Sequence, residues 1–236
     1  MLSYLKLIFI VLYTILCWFL ALIFSITDRS FKSYFWLSRV FSKGTLLISG
    51  IKVEVNGLEN VDKDSVYIFV SNHSSQFDIP ALQYTIPTSA SIVFKKEIGK
   101  IPLFGWQMRL GPYIMIDRQN VEKALKSIEK AKMVMSQKKF SVLLFAEGTR
   151  SKTGEVQPFK RGAFYLAAHA GFPIIPVTLS GTDKILPKGK FKIKKGTIHV
   201  HFDKAIATDY IKSRKDEIEL MEKVRNIVIQ NIKEEG

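Results

Sequence analysis

The stretch VYIFVSNHSSQFD, residues 66–78, decides how this chain is read. Five apolar residues lead without interruption into a polar loop that holds a histidine, His73, and five positions later an aspartate, Asp78. An unbroken apolar run of this length, closed by polar residues, reads as a strand buried on both faces, as in parallel sheets covered by helices. The loop beyond the carboxyl end of such a strand is where α/β folds hold functional groups. One short segment thus bears on both fold and chemistry.

The pattern repeats on either side. IKVEV (51–55) alternates like a half-buried strand, while SIVF (91–94), YIMI (113–116), SVLLFA (141–146) and IIPVTL (174–179) read as short buried strands. Between them the spacing is helical. Val121, Ala124, Leu125, Ile128, Ala131 and Met135 mark one face of a helix with Asn120 as its N-cap. RGAFYLAAHAG (161–171) is another, with Gly171 placed to stop it, and Ile218, Met221, Val224, Ile227 and Val228 outline a last amphipathic helix. A short helix is expected to start near Asp78. Strands alternating with helices predict a single α/β domain over residues 49–236, on a largely parallel sheet flanked by helices.

Residues 1–48 read differently. From 7 to 27, LIFIVLYTILCWFLALIFSIT carries no charge. As a helix rising about 1.5 Å per residue it would extend roughly 30 Å, the thickness of a bilayer's hydrocarbon core. A cleaved signal peptide fits less well, because the run is long, only Lys6 precedes it and no A-x-A site follows. The next segment mixes Phe31, Phe35, Trp36, Val40 and Phe41 with Arg29, Lys32, Arg39 and Lys43, a composition suited to the membrane interface. Four cations here against one at Lys6 place this side in the cytoplasm by the positive-inside tendency. The expectation is a helical membrane-anchoring segment at the cell membrane, either spanning it or turning back half-embedded.

Lys and Arg total 35 against 21 Asp and Glu, so the chain favours anionic partners such as acidic lipid, phosphorylated substrates or nucleic acid. Its one cysteine, Cys17, excludes an intramolecular disulfide and a cysteine-based zinc cluster.

The loop chemistry narrows the choice. A carboxylate on one ring nitrogen of His73 would fix its tautomer and stabilise the imidazolium formed when the other nitrogen takes a proton. No G-x-S-x-G elbow supplies a nucleophile, and Ser74 and Ser75, next to the histidine on a turn, are poorly placed to reach it. If neither serves, the hydroxyl must belong to the substrate, which suits direct acyl transfer onto an alcohol. A second polar cluster, FAEGTRS (145–151), again follows a buried strand. Gly148 lets backbone N–H groups approach an anion, Arg150 offers a forked cation for phosphate oxygens, and Glu147 could orient that arginine or hold a hydroxyl. PFKRG adds Lys160 and Arg161 nearby. A third stretch, KKEIGKIPLFGWQMRLGPYIMIDR (95–118), joins Lys95, Lys96 and Arg118 through an apolar middle that reads either as an acyl-chain groove or as a core helix. HVHFD places His199, His201 and Asp203 on one strand face, a spacing metals can use, but nothing like H-E-x-x-H accompanies it.

Taken together, H-x-x-x-x-D at His73 and Asp78, KKEIGKIPLFGW…IDR, FAEGTRS and IIPVTLSGT with Pro176 near its centre resemble the four ordered blocks of the glycerolipid acyltransferase family. The likeness is greatest to its bacterial 1-acylglycerol-3-phosphate branch. It covers roughly residues 65–185. It implies His73 as the base oriented by Asp78, and phosphate binding by Arg118, Glu147, Gly148, Thr149 and Arg150. Lys95, Lys96 and Lys160 become candidates for oxyanion or substrate contact. It further implies lysophosphatidic acid as acceptor, acyl-CoA or acyl-carrier protein as donor, membrane phospholipids as surroundings, and no metal, prosthetic group or nucleic acid. Another lysophospholipid or amino-lipid acceptor, and a membrane-tethered basic binding domain without catalysis, are the competing expectations.

Overall fold

The apolar run before His73 becomes β2 (Ile68–Ser71), the middle strand of a seven-stranded sheet. The computed structural model describes residues 2–102, 104–116 and 121–235. Around β2 stand β1 (Ile51–Asn56), β3 (Ala90–Lys95), β4 (Ile114–Ile116), β5 (Ser141–Phe145), β6 (Ile174–Ser180) and β7 (Gly196–Phe202), in the spatial order β1-β7-β6-β2-β5-β3-β4. From β6 to β4 every pairing is parallel. β7 is antiparallel to β6 and parallel to β1, so these two run against the other five. The chain forms a single α/β domain on a mostly parallel sheet, as its alternating pattern predicts.

Both faces of the middle strands are covered, which is why their sequences do not alternate. Phe69, Leu143 and Ile175 pack on one side with Leu46 of α2 (Lys32–Ser49) and with Ala81 and Leu82 of α3 (Asp78–Thr85). Ile68, Val70, Val142, Leu144 and Ile174 face the other side. There they meet Met135 of α5 (Val121–Lys138), Phe164 of α6 (Arg161–His169), and Val224 and Val228 of α8 (Arg214–Glu235). Ile68, Phe69 and Val70 have no exposed surface, and each such burial stabilises by about 1.5–3 kcal/mol. Gly171 lies just past α6 with φ +75°, a left-handed stop that glycine takes without strain. Asn120, expected to cap α5, lies outside the described residues.

Pro176 sits inside a central strand, where proline is normally excluded. Its carbonyl accepts from Asp203 N–H at 3.0 Å, just beyond the last β6–β7 pair, Val177 with Phe202. A residue's N–H points to the same side as its C=O, so the bond that the ring forgoes is the reciprocal one to Asp203, at the end of β7, and the pairing with β2 is untouched.

The N-terminal segment folds as a helical pair, α1 (Leu2–Thr27) and α2. Residues Leu5–Thr27 are long and apolar enough to cross a membrane, and most of them are not buried against the protein. α1 is nevertheless held near both of its ends. Lys6 Nζ donates to the carbonyl of Ser49, the last residue of α2, at 2.6 Å, and beyond the other end Arg29 O accepts from Lys138 Nζ of α5. Of the α2 residues expected at a membrane interface, Trp36 and Val40 are exposed, whereas Phe35 and Arg39 meet protein. Phe35 is buried against Phe140, with ring centroids 4.8 Å apart. Arg39, expected to meet lipid phosphate, instead donates through Nη2 to the carbonyls of Ile86, Pro87 and Thr88, pinning the pair to the chain after α3.

Candidate active site

Parallel register builds the site. Ser71 pairs with Phe145 of β5 on one side and Val177 of β6 on the other, so the loops leaving β2, β5 and β6 emerge at one edge. The turn after β2 brings Asp78, first residue of α3, back under His73. Asp78 is fully buried, and its Oδ2 accepts the Nδ1–H of His73 at 2.6 Å. The same oxygen accepts the amides of Ser74 at 2.7 Å and Ser75 at 2.8 Å. Three donors on one oxygen hold the carboxylate in one orientation. The imidazole lies against Phe145, centroids 4.1 Å apart at 20°, leaving Nε2 without a hydrogen-bond partner among the described residues. Tautomer and orientation are thus fixed, and one nitrogen is left to take a proton.

The two serines are engaged elsewhere. Ser74 Oγ and Ser75 Oγ are bonded to Thr182 Oγ1 and Leu186 O, of α7 (Thr182–Ile185) and the residue after it. They secure the loop and are not presented to the imidazole. Asn72, which sequence reading passed over, exchanges two hydrogen bonds with the backbone of Leu179 and so ties the loop to β6.

The loop after β5 closes over the same backbone. Glu147 Oε1 accepts His73 N–H at 2.8 Å, and Ser151 N–H donates to His73 O at 2.7 Å. Glu147 is therefore a support beneath His73, where sequence reading placed it on substrate or on Arg150. Gly148 has φ +70°, which allows the tight turn into Thr149 and Arg150. Lys188, a residue sequence reading missed, donates through Nζ to Arg150 O at 2.6 Å and to Thr149 Oγ1 at 3.2 Å. Its signal lay in the basic run after IIPVTLSGT.

Burial pushes the Glu147 carboxyl up to about 7; the Asp78 charge adds to the rise, while the His73 and Gln157 amides oppose it. A glutamate that titrates near 4.3 when unfolded and higher when folded stabilises the fold fully at low pH, and that contribution is lost as pH climbs through the folded value. Glu147→Gln keeps an acceptor for His73 N–H and cannot ionise. Relative to the parent it is expected to gain stability of the order of a few kcal/mol between pH 5 and pH 8, read by chemical unfolding at both. A difference that does not change with pH would mean that Glu147 is ionised throughout.

A cavity of about 380 Å³ opens at this edge, within the size range of small-molecule sites. His73, Lys95, Gly148, Thr149 and Arg150 line it, together with Cys17, Trp18 and Ala21 of α1, Leu37 and Phe41 of α2, and Met108 of α4 (Phe104–Leu110). The apolar middle of the third block thus contributes a wall of a groove. Lys96 and Lys160 are not among the lining residues, and Lys160 is exposed. Arg118 lies outside the described residues. On the HVHFD strand His199 pairs with Glu54, and Asp203 accepts from Asn231. Among the described residues no three His, Cys, Asp or Glu side chains converge as a metal site.

Comparison with known proteins gives concordant results. An acyltransferase family model matches residues 52–180. A 1-acyl-sn-glycerol-3-phosphate acyltransferase of Limnanthes douglasii is 37% identical over 69% of this chain and 57% of its own length. One from Saccharomyces cerevisiae is 34% identical over 85% of this chain and 67% of its own. The chain thus spans a little over half of the plant relative and two thirds of the yeast one. The crystal structure of a 1-acyl-sn-glycerophosphate (LPA) acyltransferase from Thermotoga maritima superposes with a TM-score of 0.79 at 25% identity, covering 98% of this chain and 96% of that one.

Proposed function

This chain belongs to the acyltransferase family, and on that premise we propose that it moves a fatty acyl group from a thioester to the free hydroxyl of 1-acylglycerol-3-phosphate, giving phosphatidic acid. The observation that carries the reading is an oriented imidazole whose free nitrogen belongs to a residue lining an apolar groove, with no enzyme nucleophile bonded to it among the described residues. His73 Nε2 takes the proton of the acceptor hydroxyl as its oxygen attacks the thioester carbon. The C–S bond breaks, and the imidazolium returns the proton to the departing sulfur. Asp78 stabilises the imidazolium in between. A positioned base of this kind contributes on the order of 10²–10⁴ in rate, and holding both substrates in line lowers the barrier by roughly 7–11 kcal/mol more. Lys95, on the cavity wall, is the candidate for stabilising the oxyanion. Thr149 and Arg150, steadied from behind by Lys188, are the candidates for the acceptor phosphate, with Arg118 joining them on the family's pattern. The reaction so written needs no metal or prosthetic group.

The membrane enters through cost. A chain of about sixteen carbons leaving the bilayer loses roughly 0.8 kcal/mol per methylene, on the order of 10 kcal/mol in all. The enzyme therefore has to meet its substrate in place. Because α1 is held to the end of α2 through Lys6 and, just past its own end, to α5 through Arg29, we read it as lying along the protein in a half-embedded disposition, and we place the domain at the cytoplasmic face on the charge pattern alone. The outward residues Phe9, Leu12, Leu16 and Phe19 would lie among lipid tails.

The deciding experiment is turnover of lysophosphatidic acid by the purified protein in detergent, with acyl-CoA and acyl-carrier protein as alternative donors. Arg150→Ala is expected to lower kcat/KM for the phosphorylated acceptor about 10- to 100-fold, the loss of one charge-assisted pair. It should alter the already poor use of monoacylglycerol far less. Equal use of both acceptors by the parent would point to a different lipid substrate.

A further inference from the structure

The connection from β6 to β7 contains KILPKGKFKIKK, residues 184–195: six lysines and no acid. Lys184, Lys190, Lys192, Lys194 and Lys195 are exposed. Among the described residues none of the six forms an ion pair with a carboxylate. At its tip Phe191 is 79% exposed, more than any other large apolar side chain described. The segment is nevertheless anchored. Ile185, Leu186 and Ile193 are buried in the core, Lys194 N–H donates to Ile185 O at 3.0 Å, and Lys190 N–H to Pro187 O at 3.1 Å. A fixed loop therefore holds a bare aromatic ring between lysines.

Its neighbourhood indicates what covers that ring. Lys195 and Lys6 converge on Gly50, where a β-carbon would lie 3.4 Å from Lys195 Cγ and 3.5 Å from Lys6 Nζ. The basic segment thus abuts the N-terminal end of α1, whose outward face is apolar, and stands near Leu47, itself 66% exposed. An apolar helix face and an exposed ring flanked by cations are the features that the acyl-chain and headgroup layers of one leaflet accept.

We infer that residues 184–195 form a second membrane contact selective for anionic phospholipid. Phe191 enters the interface, and Lys184, Lys190, Lys192 and Lys194 meet headgroup phosphates. An acidic protein would match the charge but would leave both the ring and its continuity with α1 without a purpose. Each lysine near an anionic leaflet strengthens association about fivefold, so three reversed charges are enough to lift the loop away. The inference rests on the half-embedded disposition proposed for α1.

The test uses the full chain with Cys17→Ala and Phe191→Cys, the new thiol carrying an environment-sensitive fluorophore. It is reconstituted in vesicles of phosphatidylcholine, alone or mixed with phosphatidylglycerol, each containing brominated acyl chains. Flotation reports separately whether α1 holds the protein on the vesicles, so failure there is failure of the α1 reading. Quenching several-fold greater in the anionic vesicles, lost at high salt and in Lys190→Glu/Lys192→Glu/Lys194→Glu, is expected. Equal quenching in both compositions, or none in either with flotation intact, would overturn the inference. So would a larger spectral change with acidic acyl-carrier protein in lipid-free detergent than with anionic vesicles.

Discussion

His73→Ala is expected to reduce acyl transfer by about 10²–10⁴-fold, the range assigned to a positioned general base. The ring contributes little to the fold: its side chain is 15% exposed, and its principal packing partner is Phe145. Losing that stacking costs about 0.5–1.5 kcal/mol, so the circular dichroism spectrum and recovery in the membrane fraction should match the parent. The backbone bonds from His73 to Glu147 and Ser151 survive in alanine. The effect should therefore fall on kcat, with KM for the lipid acceptor nearly unchanged. Activity within a few-fold of the parent would remove the imidazole from the mechanism.

Asp78→Asn should be almost as damaging for a different reason. The amide oxygen can still accept from Ser74 and Ser75, so α3 and the loop are kept in place. The charge that stabilises an imidazolium is gone, and in a serine-protease triad the corresponding change lowers kcat about 10⁴-fold. Because the two side chains act as a unit, the double variant His73→Ala/Asp78→Asn should be scarcely worse than His73→Ala alone. Additive losses would show that Asp78 acts on substrate independently of the histidine.

Much of this was legible in the sequence because buried parallel strands and their loops leave strong local signals. VYIFV and SVLLFA lead straight into the residues that meet at the sheet edge, and H-x-x-x-x-D could be read as a dyad because one turn of chain separates its members. What was missed is long-range. That Glu147 would lie beneath His73 depends on β2 and β5 being neighbours. That Lys188 would reach Arg150 depends on how the connection after β6 folds back. Arg39 and Phe35 were misread because composition cannot tell which side of an amphipathic helix meets lipid and which meets protein. The reversal of β1 and β7 left no mark in either strand's own residues.

That reversal governs the order in which the molecule can be assembled. Ile51 finds its partner, Gly196, only after most of the chain has been made. During synthesis α1 and α2 emerge before the sheet, and β1 waits with an open ladder until β7 appears and the sheet closes across the longest sequence separation it contains. Closure of so distant a pair is entropically costly and slow. The sheet thus stays incomplete until late in synthesis, and a ribosome stalled before residue 196 would leave β1 a bare template for aggregation.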